Sequence, residues 1–319
     1  MTDQSSSASP VTPLSPLQPT KAHFTPGGAQ GEGNISYLEW GAGQNLPPFH
    51  FAHANGFNGQ TYAEILGPLA DEFHIRAWDA RGHGATTLHA DPARQKGWNI
   101  YADDLIAMLE KFHAETGQKV LLAGHSMGGT TSLLAAAKRP DLVRGLLLLD
   151  PVMMPFYFSR MIGVINALPI KVEGPSLVEA AARRRSQFES REAAVAGYLG
   201  RGAFRSWTDK MVQDYVEGGT YETDEGVELS CAPAWEAANF RGHRHNAWAA
   251  LSKLKVPVSL LYAGIGSTCR SPAPATVAKI DKRATVMRLG TCTHFLPMEK
   301  PEIVQAELRA LELRTRPKS

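Results

Sequence analysis

The sequence predicts an α/β fold in which helices cover both faces of a parallel sheet. Short apolar strands alternate with helical segments from residue 35 onward, and this alternation is typical of strands joined by crossover helices. One apolar strand, at residues 120–123, leads through a glycine-flanked serine straight into a helix of small residues at 130–137. The alternation is interrupted at residues 151–254 and resumes at 258–262. Long insertions in such folds usually lie over the C-terminal ends of the strands, where ligands bind.

The individual elements follow from hydrophobic periodicity in chain order. Strands are predicted at residues 35–40, 49–53, 74–78, 120–123, 145–149, 258–262 and 284–289. Helices are predicted at residues 62–71, 100–116, 130–137, 274–280 and 301–313. In the first of these helices, Ile65, Leu66 and Leu69 share one face. The interrupting segment is helix-like and rich in aromatic residues, most of which we expect to form a small core of their own.

The composition narrows the class of protein. With 319 residues, of which 43% are hydrophobic and 20% charged, the chain can bury a large core. A formal net charge of +2, with no basic cluster interleaved with aromatic residues, argues against nucleic-acid binding. The three cysteines, Cys231, Cys269 and Cys292, form neither a disulfide framework nor a metal-ligand pattern. We therefore predict no metal, no cofactor and a small molecule as the partner, while the oligomeric state is left open.

Residues 1–33 are rich in Ser, Pro, Thr and Gly and are predicted to form a disordered tail. They lack the basic and apolar regions of a secretory signal peptide. The longest apolar runs of the chain, such as residues 146–149, are far too short to cross a bilayer. From these absences we expect a cytoplasmic protein without a membrane span.

The run GHSMGG at residues 124–129 is the strongest chemical signal in the chain. It fits the pattern G-x-S-x-G of a nucleophile elbow, a sharp strand-to-helix turn that exposes a serine hydroxyl. A side chain at Gly124 or Gly128 would collide with the neighbouring strand or helix. The turn is expected to hold Ser126 in a strained conformation and to place the N–H of Met127 at a helix N-terminus, where it can stabilise an oxyanion. The alternative is a passive serine in a tight glycine turn.

A serine hydroxyl needs a base to remove its proton, and His294 is the best placed of the 11 histidines. It follows the last predicted strand and precedes the last helix, in a loop that returns to the strand ends near Ser126. His125 adjoins the serine but is expected to point away from it and to pack or hydrogen-bond near the oxyanion loop, residues 53–59. His83 lies in a turn and is interpreted as structural.

The acid that fixes the tautomer of the histidine is not where such folds usually carry it. The loop after the strand at 258–262 contains neither Asp nor Glu. Asp150 ends the strand at 145–149, next to the strand that leads to the serine, and keeps the chain order serine, acid, histidine. We therefore assign Asp150 as the acid. The alternatives are a structural role for Asp150 at the strand end, and Asp79 as the acid.

A second oxyanion donor is expected in the loop HANGFNG, residues 53–59, which follows the strand at 49–53. Its glycines let the backbone approach a substrate. The N–H of Phe57 is the predicted partner of the N–H of Met127 in the oxyanion hole. The side chain of Asn55 is expected to brace this loop.

Four motifs in this order resemble those of the α/β-hydrolase superfamily: HANGF at 53–57, DARGHG at 79–84, GHSMGG at 124–129 and GTCTHFL at 290–296. The resemblance implies a mostly parallel eight-stranded sheet with helices on both faces and a helical cap after the sixth strand. It implies a core in two parts, residues 34–150 and 255–319, with the cap at 151–254. In this superfamily the second motif is generally structural, and some lipases and dehalogenases carry the acid after strand six, as here.

The resemblance implies a serine hydrolase that cleaves a carboxylic ester, a lactone or a thioester through an acyl-enzyme on Ser126. Because the nucleophile is a serine, the carboxylate chemistry of haloalkane dehalogenases and epoxide hydrolases is disfavoured. Hydrolysis of a C–C bond, perhydrolysis and acyl transfer would use the same residues and stay alternatives, as does a non-catalytic ligand-binding protein. The predicted pocket for a small, partly apolar substrate comprises Asn55, Met153, Phe156, Phe158 and Trp235.

Overall fold

The computed structural model describes residues 18–27, 31–154, 176–242 and 244–316. Its strands, in chain order, are β1 (Thr20–Phe24), β2 (Ile35–Trp40), β3 (Pro48–Ala52), β4 (His74–Trp78), β5 (Val120–His125), β6 (Val143–Leu149), β7 (Gln187–Phe188), β8 (Thr220–Thr223), β9 (Gly226–Leu229), β10 (Val258–Ala263) and β11 (Thr285–Leu289). Eight of them form the central sheet in the order β1-β2-β4-β3-β5-β6-β10-β11. Only the β1–β2 and β2–β4 pairs of this sheet are antiparallel. The predicted class, a mostly parallel eight-stranded sheet, is confirmed.

The described helices are α1 (Ala63–Leu66), α2 (Asn99–Thr116), α3 (Met127–Lys138), α4 (Leu177–Ala182), α5 (Arg191–Tyr198), α6 (Asp209–Gly219), α7 (Pro233–Arg241), α8 (Ala247–Ser252), α9 (Ala273–Ile280), α10 (Leu296–Glu299) and α11 (Pro301–Thr315). Helix α1 is flanked by 3₁₀ turns at Gln60–Tyr62 and Gly67–Leu69. Within the described ranges, no helix is both long and apolar enough to cross a membrane.

Two hydrophobic clusters lie on opposite faces of the sheet, because successive side chains of a strand point in opposite directions. Along β5, Leu122 joins the cluster that contains residues of α2, α3, α8 and α9. Its neighbours Leu121 and Ala123 join the cluster that contains residues of α1 and α11. The parallel strands therefore run between two layers of helices, and their C-terminal ends meet at one edge of the sheet.

Strand β1 lies inside the segment predicted to be a disordered tail, and for these residues that prediction is wrong. Residues 20–24 pair antiparallel with residues 35–39 of β2 at the edge of the sheet. Their sequence, TKAHF, has no apolar run, because the side chains of this edge strand are exposed or only partly buried. Hydrophobic periodicity thus predicts seven strands of the sheet and misses the eighth. Residues 1–17 and 28–30 lie outside the described residues.

The insertion is not purely helical in its described part. Strands β7, β9 and β8 form a separate three-stranded antiparallel sheet, in that order, among helices α4 to α7. Helix α8 packs on α3 of the core, where Leu251 is fully buried. The predicted cap boundary at residue 254 therefore takes in a helix of the core. Phe156 and Phe158, predicted to line the pocket, lie outside the described residues.

Candidate active site

The serine of the predicted elbow lies in the turn between β5 and α3. The backbone of Ser126 has a φ of 55°, in the left-handed region that residues other than glycine rarely adopt. A Cβ atom on Gly124 would come closer than 3.0 Å to the backbone of Gly128, and one on Gly128 would come as close to the backbone of Ala52. The turn therefore needs glycine at both positions. The N–H of Met127 is at the first position of α3, where no carbonyl of the same helix can accept it.

The structure brings the three predicted catalytic residues into one hydrogen-bonded chain. The Nε2 atom of His294 is 2.9 Å from Oγ of Ser126, and its Nδ1 atom is 2.6 Å from Oδ2 of Asp150. Since a carboxylate only accepts hydrogen bonds, Nδ1 donates to Asp150, and Nε2 of the neutral ring is left to accept the serine proton. This is the tautomer that a general base for Ser126 requires.

Asp150 is fully buried at the end of β6, and its carboxylate accepts further hydrogen bonds. Oδ1 accepts from the N–H of Ala263 at 3.0 Å and from Oγ of Ser267 at 2.5 Å, while Oδ2 accepts from the N–H of Thr268 at 3.0 Å. Burial raises the pKa of Asp150, but the hydrogen bond and charge of His294, with the bonds from Ser267 and Ala263, outweigh it and lower the pKa below its ordinary 3.8. The carboxylate stays ionised at neutral pH.

The loop after β10, which has no acid, has a different role from the one it usually plays in such folds. Its Ser267 and Thr268 donate to Asp150, which comes from the neighbouring strand β6. The Oγ1 atom of Thr268 also donates to the main-chain carbonyl of Asp150 at 2.9 Å. The sequence analysis does not single out these two residues. The one available signal in the sequence was the absence of an acid from this loop. When the acid comes from the neighbouring strand instead, residues of this loop are in place to donate hydrogen bonds to it.

The predicted second oxyanion donor is already hydrogen-bonded within its loop. The N–H of Phe57 donates to the carbonyl of Ala54 at 3.1 Å, and the N–H of Gly56 donates to Nε2 of His83 at 3.1 Å. In this conformation the N–H of Phe57 is occupied by the carbonyl of Ala54, and its part in an oxyanion hole stays a prediction. The other ring nitrogen of His83, Nδ1, is 3.0 Å from the carbonyl oxygen of Arg81, so both nitrogens contact the main chain.

Asn55 and Trp235 were predicted to line the pocket, but their polar atoms tie the insertion to the core. Asn55 donates to the carbonyl of Glu236 at 3.1 Å and accepts from Asn239 at 2.9 Å. The indole N–H of Trp235 donates to the carbonyl of Arg81 at 3.0 Å, and its side chain is almost fully buried. Both residues are thus occupied by contacts with helix α7 or with the turn at 79–84. Met153 is buried and forms a β-bridge with Cys269.

An aromatic wall lies beside the histidine loop, and the sequence analysis misses most of it. We define it as Phe57, Trp207, Tyr215 and Phe295. The ring of Phe57 stacks on Phe295 at 6.2 Å and meets Trp207 and Tyr215 edge-on at 5.3 and 5.6 Å. The wall joins the oxyanion loop, the insertion and the residue next to His294. Only adjacency to His294 could have identified Phe295 from the sequence, since the other contacts depend on the packing of the insertion.

The chain is similar in sequence to a known family of proteins. The chain matches the family model described as Serine aminopeptidase, S33, over residues 50–279. It is 28% identical over 272 residues to 2-(acetamidomethylene)succinate hydrolase of Mesorhizobium japonicum, covering 84% of this chain and 88% of that protein. It is 25% identical over 285 residues to probable protein phosphatase methylesterase 1 of Caenorhabditis elegans, covering 86% of this chain and 71% of that protein.

A solved structure has the same fold. The crystal structure of E-2-(acetamidomethylene)succinate hydrolase superposes with a TM-score of 0.72 at 23% sequence identity, covering 92% of this chain and 98% of that chain. The family model covers well over half of the 319 residues, including the elbow and Asp150. These findings confirm the family that the four sequence motifs predict. The chain is therefore a hydrolase of the α/β-hydrolase superfamily and belongs to the family described as Serine aminopeptidase, S33.

Proposed function

We propose that the protein hydrolyses a carboxylic ester, lactone or thioester of a small, partly apolar molecule through an acyl-enzyme on Ser126. The observation that carries the proposal is the hydrogen-bonded chain from Oγ of Ser126 through His294 to the buried Asp150. A hydroxyl bonded to the accepting nitrogen of an imidazole, whose other nitrogen is fixed by a carboxylate, is the arrangement that activates a serine.

In the first half-reaction, Oγ of Ser126 attacks the carbonyl carbon while its proton moves to Nε2 of His294. The oxyanion that forms accepts a hydrogen bond from the N–H of Met127 at the N-terminus of α3. A second donor from Phe57 requires that its N–H exchange the carbonyl of Ala54 for the oxyanion. His294 then gives its proton to the leaving alcohol or thiol, and the carbonyl re-forms as the acyl-enzyme.

In the second half-reaction, His294 takes a proton from water, and the hydroxide attacks the acyl carbon. The tetrahedral intermediate collapses, the carboxylic acid leaves, and His294 returns the proton to Oγ of Ser126. Asp150 stays ionised throughout and stabilises the imidazolium, which agrees with the lowered pKa of its carboxyl group. The aromatic wall beside the histidine loop supports an apolar acyl or alcohol group as part of the substrate.

A second candidate substrate comes from the relative in Mesorhizobium japonicum, whose name describes a substituted succinate. A succinate carries two carboxylates, and burying them requires cations that are not already paired. Arg184, which lines a small cavity together with Phe57, is paired with Glu236 at 3.0 Å and also donates to the hydroxyls of Tyr198 and Tyr215. The charge of this arginine is already compensated, so on the evidence of the residues that the structure describes we rank the ester above the succinate derivative.

The test is a panel of p-nitrophenyl esters of increasing acyl length, with 2-(acetamidomethylene)succinate as a separate substrate. We expect wild-type turnover of at least one ester, none with Ser126→Ala, and an acyl adduct on the peptide that contains Ser126 by mass spectrometry. Ser132→Ala is the matched control, because this buried hydroxyl of α3 has no hydrogen-bond partner among the residues that the structure describes. Turnover of the succinate derivative alone would show that the proposed substrate class is wrong. Ester turnover that survives in Ser126→Ala would show that Ser126 is not the nucleophile.

A further inference from the structure

Both ring nitrogens of His125, the residue before the nucleophile, are hydrogen-bonded. Its Nε2 atom is 2.7 Å from the main-chain carbonyl oxygen of His294, and its Nδ1 atom is 2.7 Å from the hydroxyl of Tyr62. The hydroxyl of Tyr62 in turn lies 3.2 Å from the N–H of Ala54. His125 and Tyr62 are fully buried. These contacts join the loop at 53–59, the strand β5 and the loop of His294. We call the hydrogen-bonded chain from Ala54 through Tyr62 and His125 to His294 the relay.

The direction of each hydrogen bond follows from the chemistry of the partners. A carbonyl oxygen only accepts, so Nε2 of His125 carries a proton and donates to His294. Burial lowers the pKa of His125 to about 3, so the ring is neutral near pH 7 and its Nδ1 is an acceptor. The hydroxyl of Tyr62 therefore donates to Nδ1 and accepts from the N–H of Ala54. Every donor and acceptor in this relay is satisfied by one arrangement.

We propose that His125 and Tyr62 are positioning residues that fix the main chain of His294 so that its ring meets Ser126 and Asp150. The inference rests on the proposed function, because it concerns the base of that reaction. His294 lies in a loop between β11 and α10, where the sheet does not hold its backbone. Its ring is fixed by Ser126 and Asp150, and the bond from His125 fixes the backbone that carries the ring.

In the relay, His125 has the opposite tautomer from His294, the proposed base. His125 and His294 lie side by side, with ring centroids 5.0 Å apart, yet they hold opposite tautomers. His294 is protonated on Nδ1 and accepts on Nε2, whereas His125 is protonated on Nε2 and accepts on Nδ1. A displacement of about 1 Å at a catalytic group costs on the order of 100-fold in rate. Loss of the one hydrogen bond from His125 to the main chain of His294 is therefore enough to lower kcat.

Two substitutions at one position separate the two bonds of His125. His125→Gln keeps a donor near the place of Nε2, and His125→Asn keeps a polar group only near the place of Nδ1. We expect His125→Gln to stay within about tenfold of wild-type kcat and His125→Asn to lose about 100-fold, both with little change in KM. Tyr62→Phe keeps the ring packing and removes the hydroxyl, and we expect a smaller loss of kcat. Thermal unfolding of each variant reports whether the fold is intact.

The readout is the rate at which a fluorophosphonate probe labels Ser126, which requires no knowledge of the natural substrate. Wild-type labelling together with slow labelling of His125→Asn supports the relay. Labelling of His125→Asn and Tyr62→Phe at the wild-type rate overturns it. A wild-type protein that the probe does not label contradicts the proposed function instead.

A second readout, NMR of ¹⁵N-labelled histidine, tests the relay without any turnover. We expect His125, identified by the signals that its substitution removes, to be protonated on Nε2 across neutral pH, and His294 to give a downfield Nδ1–H resonance that shifts or disappears in His125→Asn. A His125 protonated on Nδ1, or a resonance of His294 that is unchanged in both His125→Asn and Tyr62→Phe, overturns the inference even where labelling fails.

Discussion

Ser126 and Asp150 follow the ends of the adjacent strands β5 and β6, and both have a positive φ, 55° and 43°. Among the residues that the structure describes, Asn45 is the only other non-glycine residue with this conformation. An L side chain in this region of backbone space is strained, and such strain is often concentrated at functional sites. The sheet thus holds the proposed nucleophile and the proposed acid side by side in two unfavourable backbone conformations.

This strain predicts that two substitutions of Ser126 have the same effect on turnover but different effects on the free energy of unfolding. Ser126→Gly and Ser126→Ala both remove the hydroxyl, and both are expected to abolish turnover. Only glycine relieves the positive φ, so we expect Ser126→Gly to have a free energy of unfolding about 1 kcal/mol higher than Ser126→Ala. Urea unfolding of the two variants is the measurement. Equal stabilities would mean that the elbow is not strained.

The assignment of the acid is tested by comparing two carboxylates that follow strand ends, Asp150 after β6 and Asp79 after β4. Asp150→Asn is expected to lower kcat by about 10⁴-fold, because an amide can no longer fix the tautomer of His294. Asp79 accepts from the N–H groups of Gly59 and Ala85 at 2.9 Å in a different turn, so Asp79→Asn is the matched control. We expect it to retain kcat within about tenfold. The opposite ranking of the two kcat values would make Asp79 the acid.

The same two carboxylates are expected to affect stability in opposite directions as the pH changes. The folded-state pKa of Asp150 is below 3.8, so its contribution is present above about pH 4 and is lost as the pH falls through the folded value. Burial raises the pKa of Asp79 to about 6, so its ionisation opposes folding as the pH rises from about 4 to 6. The measurement is the free energy of unfolding of wild type minus each Asn variant, from about pH 3 to pH 7. Differences that do not change with pH would contradict both shifts.

The hydroxyl of Ser267 is expected to matter for both stability and rate. Ser267→Ala removes its bond to Asp150, which should raise the pKa of that carboxyl, cost about 2 kcal/mol of stability and lower kcat by about tenfold. Ser259 donates to the buried Glu307 at 2.6 Å, away from the site, so Ser259→Ala is the control. We expect a similar loss of stability there with unchanged kcat. If the two variants had equal kcat values, Ser267 would have no part in holding the acid.

The elbow glycines give a prediction about packing alone. Gly128→Ala would place Cβ closer than 3.0 Å to the backbone of Ala52 in β3, so we expect a loss of at least about 4 kcal/mol or no folded protein. Gly67→Ala is the control, because its Cβ meets open space and its φ is negative. There we expect unchanged or slightly higher stability, since alanine lowers the entropy of the unfolded chain. Soluble yield and thermal unfolding check both outcomes.

The sequence predicts well those features that depend on the order of elements along the chain and on local residue patterns. The elbow, the loop of His294 and Asp150 at a strand end each have a local signal, and the parallel pairing of β5, β6 and β10 brings their strand ends to one edge. The structure places these three side chains within hydrogen-bond distance, as the sequence leads one to expect. The parallel sheet follows from the alternation of apolar strands and helices for the same reason.

What the sequence does not predict depends on contacts between distant segments. The strand at 20–24 has no apolar run, because it pairs only at the sheet edge. The N–H of Phe57 is used by a turn whose geometry no motif specifies. Trp235 is an aromatic residue of the insertion, and only the structure shows that its indole N–H donates to the turn at 79–84. That Ser267 and Thr268 donate hydrogen bonds to Asp150 likewise follows only from the pairing of β10 with β6.

The order of the proposed triad along the chain has a consequence for when reactivity can arise. Ser126 and Asp150 lie on neighbouring strands, but His294 follows the acid by 144 residues and arrives with the loop after β11. A domain generally folds as a unit, and this sheet lacks β10, β11 and the loop of His294 until most of the chain has been made. We therefore expect a nascent chain to carry an inert serine until that loop is synthesised, and the proposed ester cleavage to become possible only then.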